Sequence, residues 1–275
     1  MMKILIIGAS GMIAQETINE LAKAGNELRL FSRSIKAENY PNHDVTPGDV
    51  LQKSDLEKAM NGCDAVHITI NTPDESKAVE NVVSIAQSHN IKRISYVSGA
   101  TVTKTNSWFE MVGHKYNAEQ VLKSSGIPYM IFRPTWFMES LEMMIQNGKA
   151  NIMGKQPLKL HWISSKDFAK QLSRAYGMNE SLNKEFYSYG PESLTLKEAL
   201  EQYVRVNHPY IKKVGNAPFG LLKFIAFISG NKELKSIIPM FEYFEKTPEA
   251  GDANDTNNLL GAPSTTLRDW LNLKV

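Results

Sequence analysis

The sequence predicts an α/β protein: a doubly wound, mainly parallel sheet with a smaller C-terminal region. Three observations predict it. The chain opens with an unbroken apolar run, Ile4 to Ile7, followed at once by the glycine turn GASGMIA, Gly8 to Ala14. Strand-like and helix-like runs then alternate through the first half, the pattern of a parallel sheet covered by helices on both faces. The length, 275 residues, accommodates one large α/β domain with a smaller appendage.

The elements follow in order. Lys3–Gly8 reads as strand one, and Met12–Ala24 as a helix that Gly25 caps. Glu27–Ser32 is strand two and Asp44–Pro47 a weak third strand. Ser54 is placed as the cap of a helix running to about Met60, with Glu57 completing a capping box. Ala65–Ile70, Arg93–Ser98 and Tyr129–Arg133 are strands four to six. Helices Glu75–Ser88 and Gly113–Ser124 separate them, and Pro134 closes the last strand. Beyond it the pattern is less regular. Ser165–Met178 is a helix with Asp167 in its first turn. Glu185–Tyr189 is a short aromatic strand. Thr195–Val206 is a helix capped by Thr195 and Glu198. Residues 216–247 are apolar and helical, and Leu267–Leu271 is a closing helical turn. A boundary near residue 155 divides a dinucleotide-binding region, 1–155, from a smaller one, 156–275. The strand at 185–189 is a candidate to rejoin the main sheet.

The opening turn is a phosphate cradle by its chemistry. Gly8 ends the strand where the chain must turn sharply. Gly11 lets the backbone approach a pyrophosphate, and Ala14 lets the helix pack closely on the strand. The backbone N–H groups of Ser10, Gly11, Met12 and Ile13 then lie at a helix start, where the dipole favours an anion. Strand two ends Phe31-Ser32-Arg33-Ser34, with no acidic residue to take the ribose hydroxyls. A guanidinium beside hydroxyls suits a 2′-phosphate, so Ser32 and Arg33 predict NADP(H) in preference to NAD(H). Asp49 and Val50 offer an acceptor and an N–H for adenine, although an Asp in this place also makes an ordinary turn. Ile70, Asn71 and Thr72, at the end of strand four, and Ser98, at the end of strand five, lie on the rim where open sheets bind ligands.

Composition narrows the alternatives. The net charge of +2 and the lack of a basic stripe argue against nucleic acid. The single Cys63 excludes an internal disulfide and fits a reducing, cytoplasmic setting. The first strand begins at once, so no signal peptide is expected. No run of about 18 apolar residues is present to span a membrane. The run Pro218–Gly230, PFGLLKFIAFISG, is short, carries one charge, and reads as a helix packed over the pocket or against a partner subunit rather than as a membrane-surface helix.

GASGMIA, the FSR end of strand two, GDV, YVSGAT and HKYNAEQVLKSSGIPYMIFRPTWFMES together resemble the NmrA-like atypical short-chain dehydrogenase/reductases over residues 1 to 140. The ending TLRDWL is also similar. The resemblance implies an extended Rossmann fold binding NADP(H), with the smaller C-terminal lobe on the substrate side. It also implies that Pro134 and Thr135 pass the nicotinamide, and that Trp108, Phe109, Trp136 and Phe137 wall the substrate space. Members include quinone and enone reductases, and redox-sensing regulators.

The same resemblance maps the family's catalytic Lys onto Lys115 and its Ser onto Ser98, but Met111 occupies the position of the catalytic Tyr. Tyr116 points about 100° round the helix from Lys115 and does not replace it. The loss argues against ordinary ketone reduction and against sugar-nucleotide epimerisation. Hydride transfer to a quinone or activated alkene needs only a proton from water, His114 or Lys115. The expected function is reduction of a small planar acceptor. The alternative is a non-catalytic NADP(H) sensor acting through a protein partner. A homodimer is compatible with both, and no metal site is expected.

Overall fold

The computed structural model describes residues 1–273. In chain order its strands and helices are β1 (Lys3–Ile7), α1 (Ala14–Lys23), β2 (Glu27–Ser32), β3 (Asp44–Pro47), α2 (Lys53–Met60), β4 (Ala65–Ile68), α3 (Glu75–Ser88), β5 (Arg93–Val97), α4 (Glu110–Ser124) and β6 (Tyr129–Pro134). They continue with β7 (Ile145–Gln146), β8 (Lys149–Met153), β9 (Lys159–His161), α5 (Ser165–Tyr176), β10 (Lys184–Ser188), β11 (Ser193–Thr195), α6 (Leu196–Asn207), β12 (Val214–Ala217), α7 (Phe219–Ser229), α8 (Lys232–Phe244), α9 (Asn254–Leu260) and α10 (Leu267–Asn272).

Two compact units result. The first comprises residues 1–134, 165–188 and 251–262, and the second 135–164, 189–250 and the rest of the C-terminus. The first unit is built on a seven-stranded sheet in the order β10-β6-β5-β4-β1-β2-β3, with every pair parallel. Ile4 to Ile7 are all buried because both faces of β1 are covered, and this is why the run is continuous rather than alternating. The order reverses at β1, which pairs with β2 on one side and β4 on the other. Such a switch point leaves a crevice at the strands' carboxyl ends. This is the Rossmann-type α/β architecture that the strand–helix alternation predicts.

Below the sheet's rim, one face of the first unit holds a closed polar chain. His67 Nδ1 lies 2.7 Å from Ser95 Oγ, which lies 2.6 Å from Tyr176 Oη, while His67 Nε2 meets Thr69 Oγ1 at 2.6 Å. Burial pushes His67 down to about 3 and raises Tyr176, so both are held neutral.

The second unit carries two small sheets, β11–β9 and β12–β8–β7. Its core gathers Trp162, Leu200, Phe241 and Trp270. The capping boxes at Thr195/Glu198 and Thr266/Asp269 start α6 and α10. One predicted cap is corrected. Ser54 lies inside α2, which begins after Gln52 with no side-chain cap. Asp55, in the first turn, instead accepts the N–H of Asp49 at 3.1 Å. Among the described residues no helix is long and apolar enough to cross a membrane.

Candidate functional site: a glycine turn at the sheet's switch point

The turn after β1 is clamped from both sides. The N–H groups of Gly8 and Ala9 donate to the Phe31 carbonyl of β2 at 2.9 and 3.3 Å. On the other side, a Cβ on Gly8 would stand 1.8 Å from the Thr69 carbonyl oxygen, and the residue has φ +87°. Only glycine satisfies both constraints. Gly11 meets a different one. A Cβ there would touch only the Gly8 carbonyl, at 3.1 Å, so its bareness keeps the approach open. Ser10, Gly11 and Met12 are exposed and Ala14 is buried. The Ile13 side chain is buried in the core, so only its backbone is available to a ligand. No side chain caps the start of α1; within the turn the Gly11 N–H donates to the Gly8 carbonyl at 2.9 Å and the Ala14 N–H to the Gly11 carbonyl at 3.1 Å, and the helix's positive end faces the turn.

At the end of β2, Ser32 Oγ is buried with no hydrogen-bond partner among the described residues. Arg33 beside it is exposed, and Ser10 Oγ stands 3.5 Å from Ser34 Oγ across the turn. Asp49 is partly committed to its own turn, since its Oδ1 accepts the Leu51 N–H at 3.0 Å. Asn81 holds the same loop through the Val50 and Leu51 carbonyls. Asn71 is exposed at the end of β4, whereas Ile70 is half-buried against the core. The partnerless hydroxyl, the open glycine turn and the exposed guanidinium together form a donor set that fits a phosphorylated dinucleotide.

The two residues mapped as catalytic both sit on buried carboxylates. Lys115 Nζ lies 2.7 Å from Glu75 Oε1, and the Tyr96 hydroxyl donates to the same oxygen at 2.7 Å. Lys115 is also 5.7 Å from the Tyr96 ring centroid. Burial, then the Glu75 charge, raise the Tyr96 hydroxyl well above its ordinary value. Ser98 Oγ donates to Glu119 Oε1 at 2.6 Å. Glu119 is gripped by Arg133, with Nε at 2.9 Å and the terminal nitrogen at 2.5 Å. Burial alone would lower Arg133, but the Glu119 and Glu185 carboxylates outweigh it and raise it. Met111 is half-buried, and His114 is half-exposed with its Nε2 3.8 Å from Glu110.

Of the four aromatic candidates, Trp108 is 73% exposed and meets Phe109 edge-on at 6.0 Å in the first unit. Trp136 packs into the second unit's core against Trp162, Phe241 and Phe244. Phe137, next to it, bridges to Ile163.

The second unit also contains a cluster that the sequence does not announce. Thr135 Oγ1 donates to Glu249, and Glu249 also lies 2.7 Å from His161 Nδ1 and accepts the His161 N–H. The His161 ring stacks on Tyr189 at 5.2 Å. Burial raises Glu249, and His161 partly offsets it. Glu249 lies 88 residues along the chain from His161, too far for sequence spacing to associate the two. Among the described residues no group of histidine, cysteine and carboxylate side chains could hold a metal ion.

Comparison with known proteins agrees with this fold. The chain is 24% identical over 213 residues to a (4-alkanoyl-5-oxo-2,5-dihydrofuran-3-yl)methyl phosphate reductase of Streptomyces griseus, covering 74% of this chain and 73% of the relative. Its structure resembles the triphenylmethane reductase of Citrobacter sp. complexed with NADP(H), with a TM-score of 0.78, 19% identity, and coverage of 99% and 100% of the two chains. It also resembles an NADPH-dependent quinone oxidoreductase of Escherichia coli complexed with NADPH, with a TM-score of 0.73, 18% identity and coverage of 98% and 99%. At these identities the structural likenesses establish the shared fold. The sequence profile of the NAD(P)H-binding family matches residues 8–176, from the first glycine of the turn to the end of α5. Because that match spans more than half of its length, and the fold is shared with both solved reductases, the chain belongs to the NAD(P)H-binding family.

Proposed function

We propose that this protein is a cytoplasmic NADP(H)-dependent reductase of NmrA-like type, acting on a small planar acceptor such as a quinone or enone. The observation that carries the cofactor part is the open Gly8–Ile13 turn beside the partnerless Ser32 hydroxyl and the exposed Arg33. In this reading the backbone of Ser10 to Ile13 holds the pyrophosphate, and Ser32 and Arg33 hold the 2′-phosphate. Asp49 and Val50 meet the adenine. Ile70, Asn71 and Thr72 line the path of the ribose and nicotinamide. Lys115 binds the nicotinamide ribose, and Pro134 and Thr135 flank the ring. When bound, the cofactor supplies a hydride. Trp108 presents exposed aromatic surface, with the half-buried Phe109 against its edge, of the kind a planar acceptor requires.

The Streptomyces griseus relative is itself a reductase, which supports this reading. Fluorescence titration with NADPH and NADH, followed by NADPH consumption across a quinone and enone panel, tests the reading. Tighter NADPH binding with turnover of at least one acceptor supports it.

A second reading rests on Met111 and on the commitment of Ser98 and Lys115 to carboxylates. It is a non-catalytic NADP(H) sensor working through a protein partner. Tight NADPH binding without turnover of any acceptor would favour it.

A further inference from the structure

Helix α7 is apolar on more sides than it buries. Leu222 and Ala226 face inward and pack with Ile238 of α8. Leu221, Phe224, Ile225 and Ile228 recur at three- and four-residue spacing on the outer side, and all are exposed. Phe227 beside them is 78% exposed. An ordinary surface helix carries charge on this side. Here the only charged residue of α7 is Lys223, which bonds Glu242 of α8 at 2.6 Å.

Charge around the helix is mainly basic. Residues 211–232 contain four lysines, Lys212, Lys213, Lys223 and Lys232, and no acidic residue; Glu233 follows, and Glu242 pairs with Lys223. Two of the lysines precede the helix and one follows it. The exposed outer face reverses the reading its sequence suggests: we propose that α7 docks this protein on an anionic lipid surface, with its outer apolar face among the acyl chains and the flanking lysines at the level of the lipid phosphates. An apolar helix lying in the membrane plane, with basic residues at its borders, has the composition such a surface recognises.

Two arguments favour lipid over a second copy of the chain. The five exposed side chains present roughly 600 Å², at the upper end for the largest apolar patch of a monomer and below the ~800 Å² each partner gives a standard interface. A two-fold pairing of α7 with itself would also bring two lysine-rich segments together, whereas lipid phosphates neutralise them. The inference is independent of the cofactor reading, because none of these residues is assigned to it.

The test is co-sedimentation of the intact protein with vesicles of equal parts phosphatidylglycerol and phosphatidylcholine, and with phosphatidylcholine alone. Binding is expected to the anionic vesicles only and to weaken with added salt. Phe224→Asp with Phe227→Asp should reduce the bound fraction about tenfold or more, because the apolar face no longer inserts. Lys212→Glu with Lys213→Glu leaves that face intact and should weaken anionic-vesicle binding while reducing its salt dependence. Unchanged NADPH titrations and circular dichroism show that both variants fold. Failure to sediment with anionic vesicles overturns the proposal. So does wild-type binding by both variants, or self-association by light scattering that the Phe224/Phe227 variant abolishes.

Discussion

Replacing Lys115 by methionine separates what this residue does for the fold from what it does for a cofactor. Its partner, the Glu75 side chain, is 1% exposed, and the Lys115 side chain is 13% exposed. Removing the ammonium leaves the carboxylate with the Tyr96 hydroxyl and no nearby cation among these contacts. Losing one partner of a buried ion pair costs about 3–5 kcal/mol. Adding Glu75→Gln removes the stranded charge and keeps an acceptor for Tyr96. The double variant should therefore recover most of the loss, ending about 1–2 kcal/mol below wild type, the size of a net hydrogen bond. Urea unfolding at neutral pH reads these differences. A loss under about 1 kcal/mol in Lys115→Met would refute the claim that Glu75 needs its ammonium.

The same variants read the cofactor role. If Lys115 binds the nicotinamide ribose, Lys115→Met lowers NADPH affinity by about 1–3 kcal/mol, and Glu75→Gln alone does not. A further fall in turnover at saturating NADPH marks a role in the reaction itself. Wild-type affinity in both Lys115→Met and the double variant would leave Lys115 as a structural partner only.

Other outcomes follow from neighbouring contacts. Arg33→Asp should weaken NADPH by about 2–4 kcal/mol and leave NADH unchanged or improved, since a phosphate partner becomes a repelling charge; equal losses in the two titrations would show that Arg33 does not read the 2′-phosphate. Gly8→Ala should fail to fold stably because its Cβ meets the Thr69 carbonyl, whereas Gly11→Val should fold and lose both cofactors; a Gly11→Val protein that binds NADPH normally would remove the cradle assignment. His67, held near 3 in the folded chain against its ordinary 6.5, is protonated only by the unfolded chain between those values. Its stabilising contribution is therefore full above pH ~6.5 and falls by about 1.4 kcal/mol per unit as pH drops toward 3. Urea midpoints against pH should show that slope, with one proton's worth removed in His67→Gln.

Much of the first unit was legible because its signals are local. Glu27–Ser32, Asp44–Pro47 and Glu75–Ser88 are the bounds expected and the bounds found, since turn residues such as Gly25, Gly48, Pro73 and Asn90 stand beside them. The second unit's strands are two to five residues long, too short for periodicity to register. One signal was present and unread. Asn147 and Gly148, with φ of 49° and 70°, form the Asn-Gly turn joining β7 to β8. The misplaced Ser54 cap shows the converse, a pattern that matches a motif while the helix's N-cap position is Gln52, two residues earlier. The carboxylates behind the site were illegible for another reason. Glu75 stands 40 residues from Lys115 and Glu119 stands 21 from Ser98. Pairing across a sheet and its helices leaves no mark in sequence spacing.

Those carboxylates divide the work differently between the two mapped residues. A serine hydroxyl has one proton, and Ser98 gives it to Glu119. It retains lone pairs, so it can accept from a ligand but cannot donate to a carbonyl oxygen. An ammonium has three donors, and Lys115 gives one to Glu75. It keeps two N–H groups for ribose hydroxyls or developing negative charge. With Met111 in place of tyrosine, this arrangement supports an acceptor that does not depend on a Ser–Tyr pair to polarise it, as a quinone does not. The prediction is that Ser98→Ala changes little in the reaction. Glu119 keeps its two contacts from Arg133, so the variant should lose only about 1 kcal/mol of stability, one net hydrogen bond. NADPH affinity and kcat for any quinone turned over should stay within about threefold of wild type, less than ~1 kcal/mol. A fall in kcat of about a hundredfold, in a variant whose unfolding midpoint and NADPH affinity are intact, would mean that Ser98 turns from Glu119 to the acceptor during the reaction. In that case the division of labour drawn from the free protein would be wrong.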